Sequence, residues 1–190
     1  MYFFLLASLL ILLRFGFPLL KIRLCDSYIQ DCYSTLDRDK YRILTNYSIL
    51  LPDHPKKLVH VDLVLSLYGI FIIKRSPLKS TRVLYGDEQG EQWSTGKTLP
   101  NPILQLKPGV KHIKAVIGDL LPDTAIPYYP IVLLYPKLKG IQLMRPKDSK
   151  IQILYPKTLV ATITAYQSQN ELLTEEELAM LVKTLQASAH

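Results

Sequence analysis

Few residues of this 190-residue chain are placed to do chemistry, and they gather around one apolar stretch, Val61 to Ser76 (VDLVLSLYGIFIIKRS). An Asp inside an apolar strand, here Asp62, is the kind of group that holds a hard cation such as Mg²⁺, but that task usually needs a second carboxylate. The next apolar run, Ile70 to Ile73, ends instead in Lys74-Arg75-Ser76. The nearest acids beyond it, Asp87, Glu88 and Glu91, lie in YGDEQGEQW, whose glycines and polar residues read as a solvated turn. The four histidines (His54, His60, His112, His190) are scattered without ligand spacing. Cys25 and Cys32 are seven apart in a helical stretch, which separates them by roughly 10 Å, beyond the reach of a disulfide. A further cationic group, Lys107, Lys111 and Lys114, is spaced along one helix and could face either a phosphate backbone or solvent.

The elements that position these residues can be read from periodicity and punctuation. Leu24 to Leu36 carries Cys25, Tyr28, Ile29, Cys32 and Leu36 at helical steps. Tyr41 to Leu51 reads as a strand, stopped by Pro52-Asp53-His54-Pro55. Leu58 to Leu67 alternates strictly, which predicts a strand with one buried face and puts Asp62 on the polar face beside His60. Thr81 to Tyr85 predicts a fourth strand. Asn101 and Pro102 are a favoured cap and first position for a helix. Pro108-Gly109 predicts a kink there, or a second helix from Val110 to Ile117. Two later strands end in the same Leu-Tyr-Pro-Lys, at Leu134 to Lys137 and Leu154 to Lys157, where proline stops the ladder. Thr174-Glu175-Glu176-Glu177 is a capping box before a last amphipathic helix.

The length suits one domain with an additional segment and is short for two domains. That segment is the N-terminus. From Tyr2 to Leu20 the chain is apolar apart from Arg14, about the length a helix needs to cross a bilayer. Lys21 and Arg23 flank its C-terminal side only, so the positive-inside bias predicts a single-pass protein with its globular part in the cytoplasm. The predicted division is a membrane anchor over residues 1–23 and a domain over 24–190. The net charge of +7, from 23 basic and 16 acidic residues, is compatible with nucleic acid, anionic lipid or simple solubility.

Laid in order, Val61-Asp62-Leu63, Tyr68-Gly69, the single Trp93, and Asn101, Pro102 and Gln105 resemble the NERD (nuclease-related) domain of the PD-(D/E)XK superfamily. The resemblance runs roughly from Leu24 to Gln186. It implies an α/β, restriction-endonuclease-like fold with a mixed central sheet flanked by helices. It also implies that Asp62 and Gln105 are vestigial catalytic positions. The family's metal-binding Glu falls on Lys74 and its Lys on Ser76; the family's early Gly-Glu is absent, with Asp26 and Asp31 in that region. The implied protein is a catalytically inactive, membrane-anchored binding or scaffolding module without a cofactor. Its nucleic-acid-binding candidates are Lys74, Arg75, Lys107, Lys111 and Lys114. Two alternatives stand beside it: a Mg²⁺-dependent nuclease with a rearranged site, and a small membrane subunit of a larger protein complex.

Overall fold

The computed structural model describes residues 17–51, 54–78, 80–122, 125–168 and 171–188. Helix α1 (Phe17–Ser34) leads into a meander of β1 (Tyr41–Leu51), β2 (His54–Ser66) and β3 (Gly69–Pro77). A small excursion comes next, made of β4 (Leu84–Asp87), β5 (Gln92–Ser94) and β6 (Thr98–Pro100). Helix α2 (Pro102–Leu120) then crosses back to β7 (Tyr128–Tyr135). The chain ends with β8 (Ile141–Met144), β9 (Gln152–Leu154), α3 (Pro156–Thr164), a 3-10 turn (Ala165–Ser168) and α4 (Glu175–Ala187).

The main sheet has the order β1-β2-β3-β7-β9, with β1, β2 and β3 antiparallel and β7 and β9 parallel to β3. Its central strands are buried on both faces, so they read as nearly continuous apolar runs rather than as alternation. One face carries Val64, Phe71, Ile73, Ile131 and Leu133 and is covered by Ile29 and Tyr33 of α1, Leu36 just beyond it, and Leu159 and Ile163 of α3. The other carries Leu63, Leu65, Ile70, Ile72 and Val132 and is covered by buried residues of α2 and α4. The fold is therefore α/β, a mixed sheet between helical layers. A second sheet, ordered β6-β5-β4-β8, packs Leu84 and Trp93 into the α2-side core.

Two glycines serve this packing. Gly69 opens β3 at φ +137°, where a Cβ would lie 2.8 Å from Pro127 O. Gly109 is buried against β1 and β2, where a Cβ would be 3.4 Å from Ile49 Cδ1, ordinary packing distance. α2 runs through Pro108 as one helix, so of the two predicted arrangements, a kink or two short helices, the second does not form. Pro108 removes one backbone donor, but buried Ile103, Leu106, Ile113 and Ile117 hold both halves on the same face of the sheet. Other elements shift: the fourth strand starts at Leu84 rather than Thr81, and Pro156 opens α3 rather than only stopping β9. The capping box at Thr174 forms as predicted. Cys25 and Cys32 are not joined in a disulfide.

Residues 1–16, most of the predicted membrane span, lie outside the described residues. Among the described residues no helix is long and apolar enough to cross a membrane. Helix α1 runs without interruption through the predicted anchor–domain boundary at residues 23 and 24.

Candidate functional site

Asp62 sits in the middle of β2, and its partner on β3 is Ile73. Side chains of directly paired residues share a face and alternate along each strand. Asp62 therefore projects with Val64, Phe71, Ile73 and Arg75, toward α1. It shares the His60 face of β2, as the alternation predicts, but at Asp62 that face is buried under α1 rather than solvated. Its side chain is 1% exposed, whereas His60 is exposed and bonds Ser48 Oγ through Nδ1 at 2.9 Å.

Burying a carboxylate demands that its charge and lone pairs be met. Oδ2 accepts from the Tyr33 hydroxyl at 2.8 Å and from Arg75 Nε at 2.5 Å. Oδ1 accepts from Asn46 N at 2.9 Å. Asn46 lies where the β1–β2 register slips between Leu44 and Tyr47, at φ 54°, a conformation Asn tolerates better than most residues. The irregularity turns a strand N–H onto the carboxylate.

Arg75 links a second acid to the first. Its Nη1 is 3.7 Å from Asp26 of α1, which also accepts the Tyr135 hydroxyl at 2.6 Å. The guanidinium lies 5.9 Å from the centre of the Tyr33 ring. The cluster thus draws Asp26 and Tyr33 from α1, Asp62 from β2, Arg75 from β3 and Tyr135 from β7. Burial works against the Arg75 charge, but the Asp62 hydrogen bond and charge outweigh it and raise the guanidinium pKa.

The register also corrects which cation meets Asp62. Lys74 belongs to the opposite face; it is half-buried and donates from Nζ to His60 O at 3.2 Å. Burial lowers its pKa, with Asp62 acting in the other direction. Arg75 neutralises the carboxylate at hydrogen-bond distance. Gln105 is not brought to this cluster, because α2 covers the other face of the sheet. Lys107, Lys111 and Lys114 are exposed along α2, with Lys114 Nζ 5.1 Å from the centre of the Tyr128 ring.

In the acidic turn Glu91 is exposed and Asp87 half-buried, but Glu88 is not solvated. Glu88 is 4% exposed and receives Arg145 Nε at 3.0 Å and Ser149 Oγ at 2.6 Å. Asn101 Nδ2 reaches the carbonyls of Asp87, Glu88 and Gly90, while its Oδ1 caps α2 at Ile103 N. Glu88 is thus already engaged by Arg145 and Ser149.

The sequence reading names Asp26 only as an acid where the family's Gly-Glu is missing, and does not single out Tyr33 or Tyr135. A signal existed for the first two, since positions seven apart lie on one helix face, but only the sheet register shows that this face meets Asp62. A dication does not fit here. All described contacts of Asp62 are donors, one of them a guanidinium, and among the described residues no group of three or more His, Cys, Asp or Glu could hold a metal.

The cluster sets a pH dependence. Burial, then the neighbouring Asp62, pushes the Tyr33 hydroxyl above the ordinary tyrosine range; burial, then the Asp26 hydrogen bond, does the same for Tyr135. Groups whose folded pKa is raised contribute stability that is present below the unfolded value, near pH 10, and lost above it. Each should remove about 1.4 kcal/mol per pH unit while only the unfolded chain ionises. Lys74, with a lowered folded pKa, opposes them only until the unfolded lysine has titrated. The urea midpoint should therefore fall steeply above about pH 10.5. A flat midpoint from pH 9 to 11.5 would show that the two hydroxyls ionise as freely folded as unfolded.

Comparisons with protein-family models, with curated proteins and with solved structures find no match to this chain. What the fold and the cluster define is a class: an α/β sandwich whose buried carboxylate is closed by an arginine.

Proposed function

We propose that this chain is a membrane-anchored, nuclease-related module of the NERD type that has kept the fold and lost the nuclease, acting as a binding or scaffolding domain. The observation that carries this reading is the guanidinium of Arg75, held between Asp62 and Asp26. In nucleases of the PD-(D/E)XK type the first of two paired strands supplies an Asp and the second supplies Glu-x-Lys around a metal ion. Here the corresponding strands are β2 and β3, and the charge beside the Asp is a fixed side-chain cation. A guanidinium satisfies the carboxylate electrostatically but offers no activated water and no Lewis acid.

The element order supports the same reading: a helix, a three-stranded antiparallel meander, a crossover helix and a parallel strand, with helices on both faces. The anchor rests on the apolar run Tyr2 to Leu20, with the basic flank placing the domain in the cytoplasm. Any nucleic-acid role falls to exposed Lys107, Lys111 and Lys114, since Arg75 is 15% exposed and already engaged. Lys74 is half-buried.

The full-length chain in detergent should not cleave DNA or RNA with Mg²⁺ or Mn²⁺. Reproducible cleavage, lost in both Asp62→Asn and Asp26→Asn while the circular dichroism spectrum is unchanged, would favour the rearranged nuclease.

A further inference from the structure

The two edge strands of the main sheet differ in length: β9 has three residues, whereas β1 has 11. An edge of that length is a template for another strand unless something covers or breaks it. No described strand pairs with the outer side of β1, and its first irregularity comes only after Leu44. From Tyr41 to Leu44 the bonds around the ladder decide which backbone groups face outward. Ile70 N donates to Pro127 O on the β7 side of β3, so the Leu65–Ile70 pair exchanges no hydrogen bonds and Leu65 turns its groups to Arg42. Tyr41 N is taken outside the ladder by Asp37 O. By the same alternation, Tyr41 O and the N–H and C=O of Ile43 point away from β2.

A cleft of about 550 Å³ opens along this stretch, between it and the end of α1. Tyr41, Ile43 and Thr45 line it from β1 and Tyr33 from α1, with Arg38 from the intervening turn and Arg42 at the strand edge, its Nη1 3.5 Å from Tyr41 O. Arg38 is exposed and Arg42 half-buried. Among the described residues neither has an ion pair, since the described pairs belong to Arg75 and Arg145. No carboxylate lines the cleft. The acids nearest in the chain are Asp31, Asp37 and Asp39, and Asp37 Oδ1 already holds Asp39 N. The negative end of α1 lies here too, but its carbonyls at Cys32 and Tyr33 are met by Thr35 N and Leu36 N.

We propose that β1, from Tyr41 to Leu44, takes an extended acidic peptide of a protein partner as an added strand, with the peptide's carboxylates on Arg38 and Arg42. Unpaired edge groups bind main chain, and a planar guanidinium binds a carboxylate at two points. Both occur here side by side, which favours an acid carried on an extended backbone over a free anion. The proposal deepens the binding-module reading and rests on it only in that the chain holds a partner. Cleavage of nucleic acid would sink that reading and leave the strand site standing.

The probe is a capped hexapeptide of alternating Glu and Val, added at millimolar concentration to the full-length chain in detergent. Its controls are the matching Lys and Val peptide, the Glu and Val peptide N-methylated at every peptide bond, and single-stranded DNA. Hydrogen exchange across residues 41–45 should slow several-fold with the unmethylated acidic peptide alone, while exchange in β7 stays unchanged. Arg38→Glu, at an exposed position, should weaken the peptide roughly ten-fold, the loss of one hydrogen-bonded charge, with the urea midpoint of the free protein unmoved. Absence of any slowing with the acidic peptide would overturn the proposal, as would equal binding of the acidic and basic peptides or an Arg38→Glu variant that binds as wild type does. Equal binding of the N-methylated peptide would show carboxylates held without strand pairing. Slowing by DNA but not by the peptide would assign the cleft to a phosphate backbone, and either result rejects the added strand.

Discussion

Replacing Arg75 by Ala should lower the unfolding free energy by about 3–5 kcal/mol, the cost of leaving a buried charge without its partner. Asp62 is 1% exposed, and Tyr33 and Asn46 donate to it without supplying a compensating charge. Arg75→Lys should rescue little, because a point cation cannot meet Asp62 and Asp26 together as a planar guanidinium does. The double variant Asp62→Leu, Arg75→Met should recover most of the loss, since an apolar pair of similar volume often matches or exceeds a buried ion pair. Urea denaturation of the four proteins reads the cycle. A loss below about 1 kcal/mol for Arg75→Ala would be that of an exposed pair, and the guanidinium would then not be the group that closes this site.

Asn101 governs the other end of the α2-side core. Its amide donates to three carbonyls of the Asp87–Gly90 turn, and its carbonyl oxygen caps α2. Asn101→Asp keeps the cap acceptor but turns a carboxylate oxygen toward those carbonyls. The cost should be on the order of 3 kcal/mol, from buried acceptors that lose their donor. For a chain of this length that lowers the melting temperature by about 6–12 °C. Asn101→Ser, which retains a cap oxygen and adds no charge, should lose less. Equal melting temperatures for Asn101→Asp and wild type would mean that the turn does not depend on these bonds. Trp93 should report the change, because its ring nitrogen donates to Asp87 O in the same turn.

The sequence by itself determined most of the elements. A charged turn and proline bound β1, Asn101 and Pro102 open α2, and the apolar runs of β3 and β7 announce strands buried on both faces, whereas β2, read as starting at Leu58, starts at His54 and takes in Pro55. The capping box at Thr174 is local chemistry and formed where it was read. These features depend on neighbours a few residues apart, so a linear reading reaches them. The register does not work that way. A one-residue slip between β2 and β3 would exchange the faces of Lys74 and Arg75, and nothing in VDLVLSLYGIFIIKRS says which of them shares a face with Asp62. Only tertiary pairing of Asp62 with Ile73 decided it. The same holds for Asp26, Tyr33 and Tyr135, which lie 36, 29 and 73 positions from Asp62 in the numbering and join the Asp62–Arg75 pair, Tyr135 through Asp26, because α1 packs on the face of the sheet that bears them. Glu88 looked like a solvated turn residue until Arg145, 57 positions on, reached it. Sequence supplied the charged groups; the packing of sheet against helix decided which of them neutralise one another, because burial makes an unpaired charge too costly to keep.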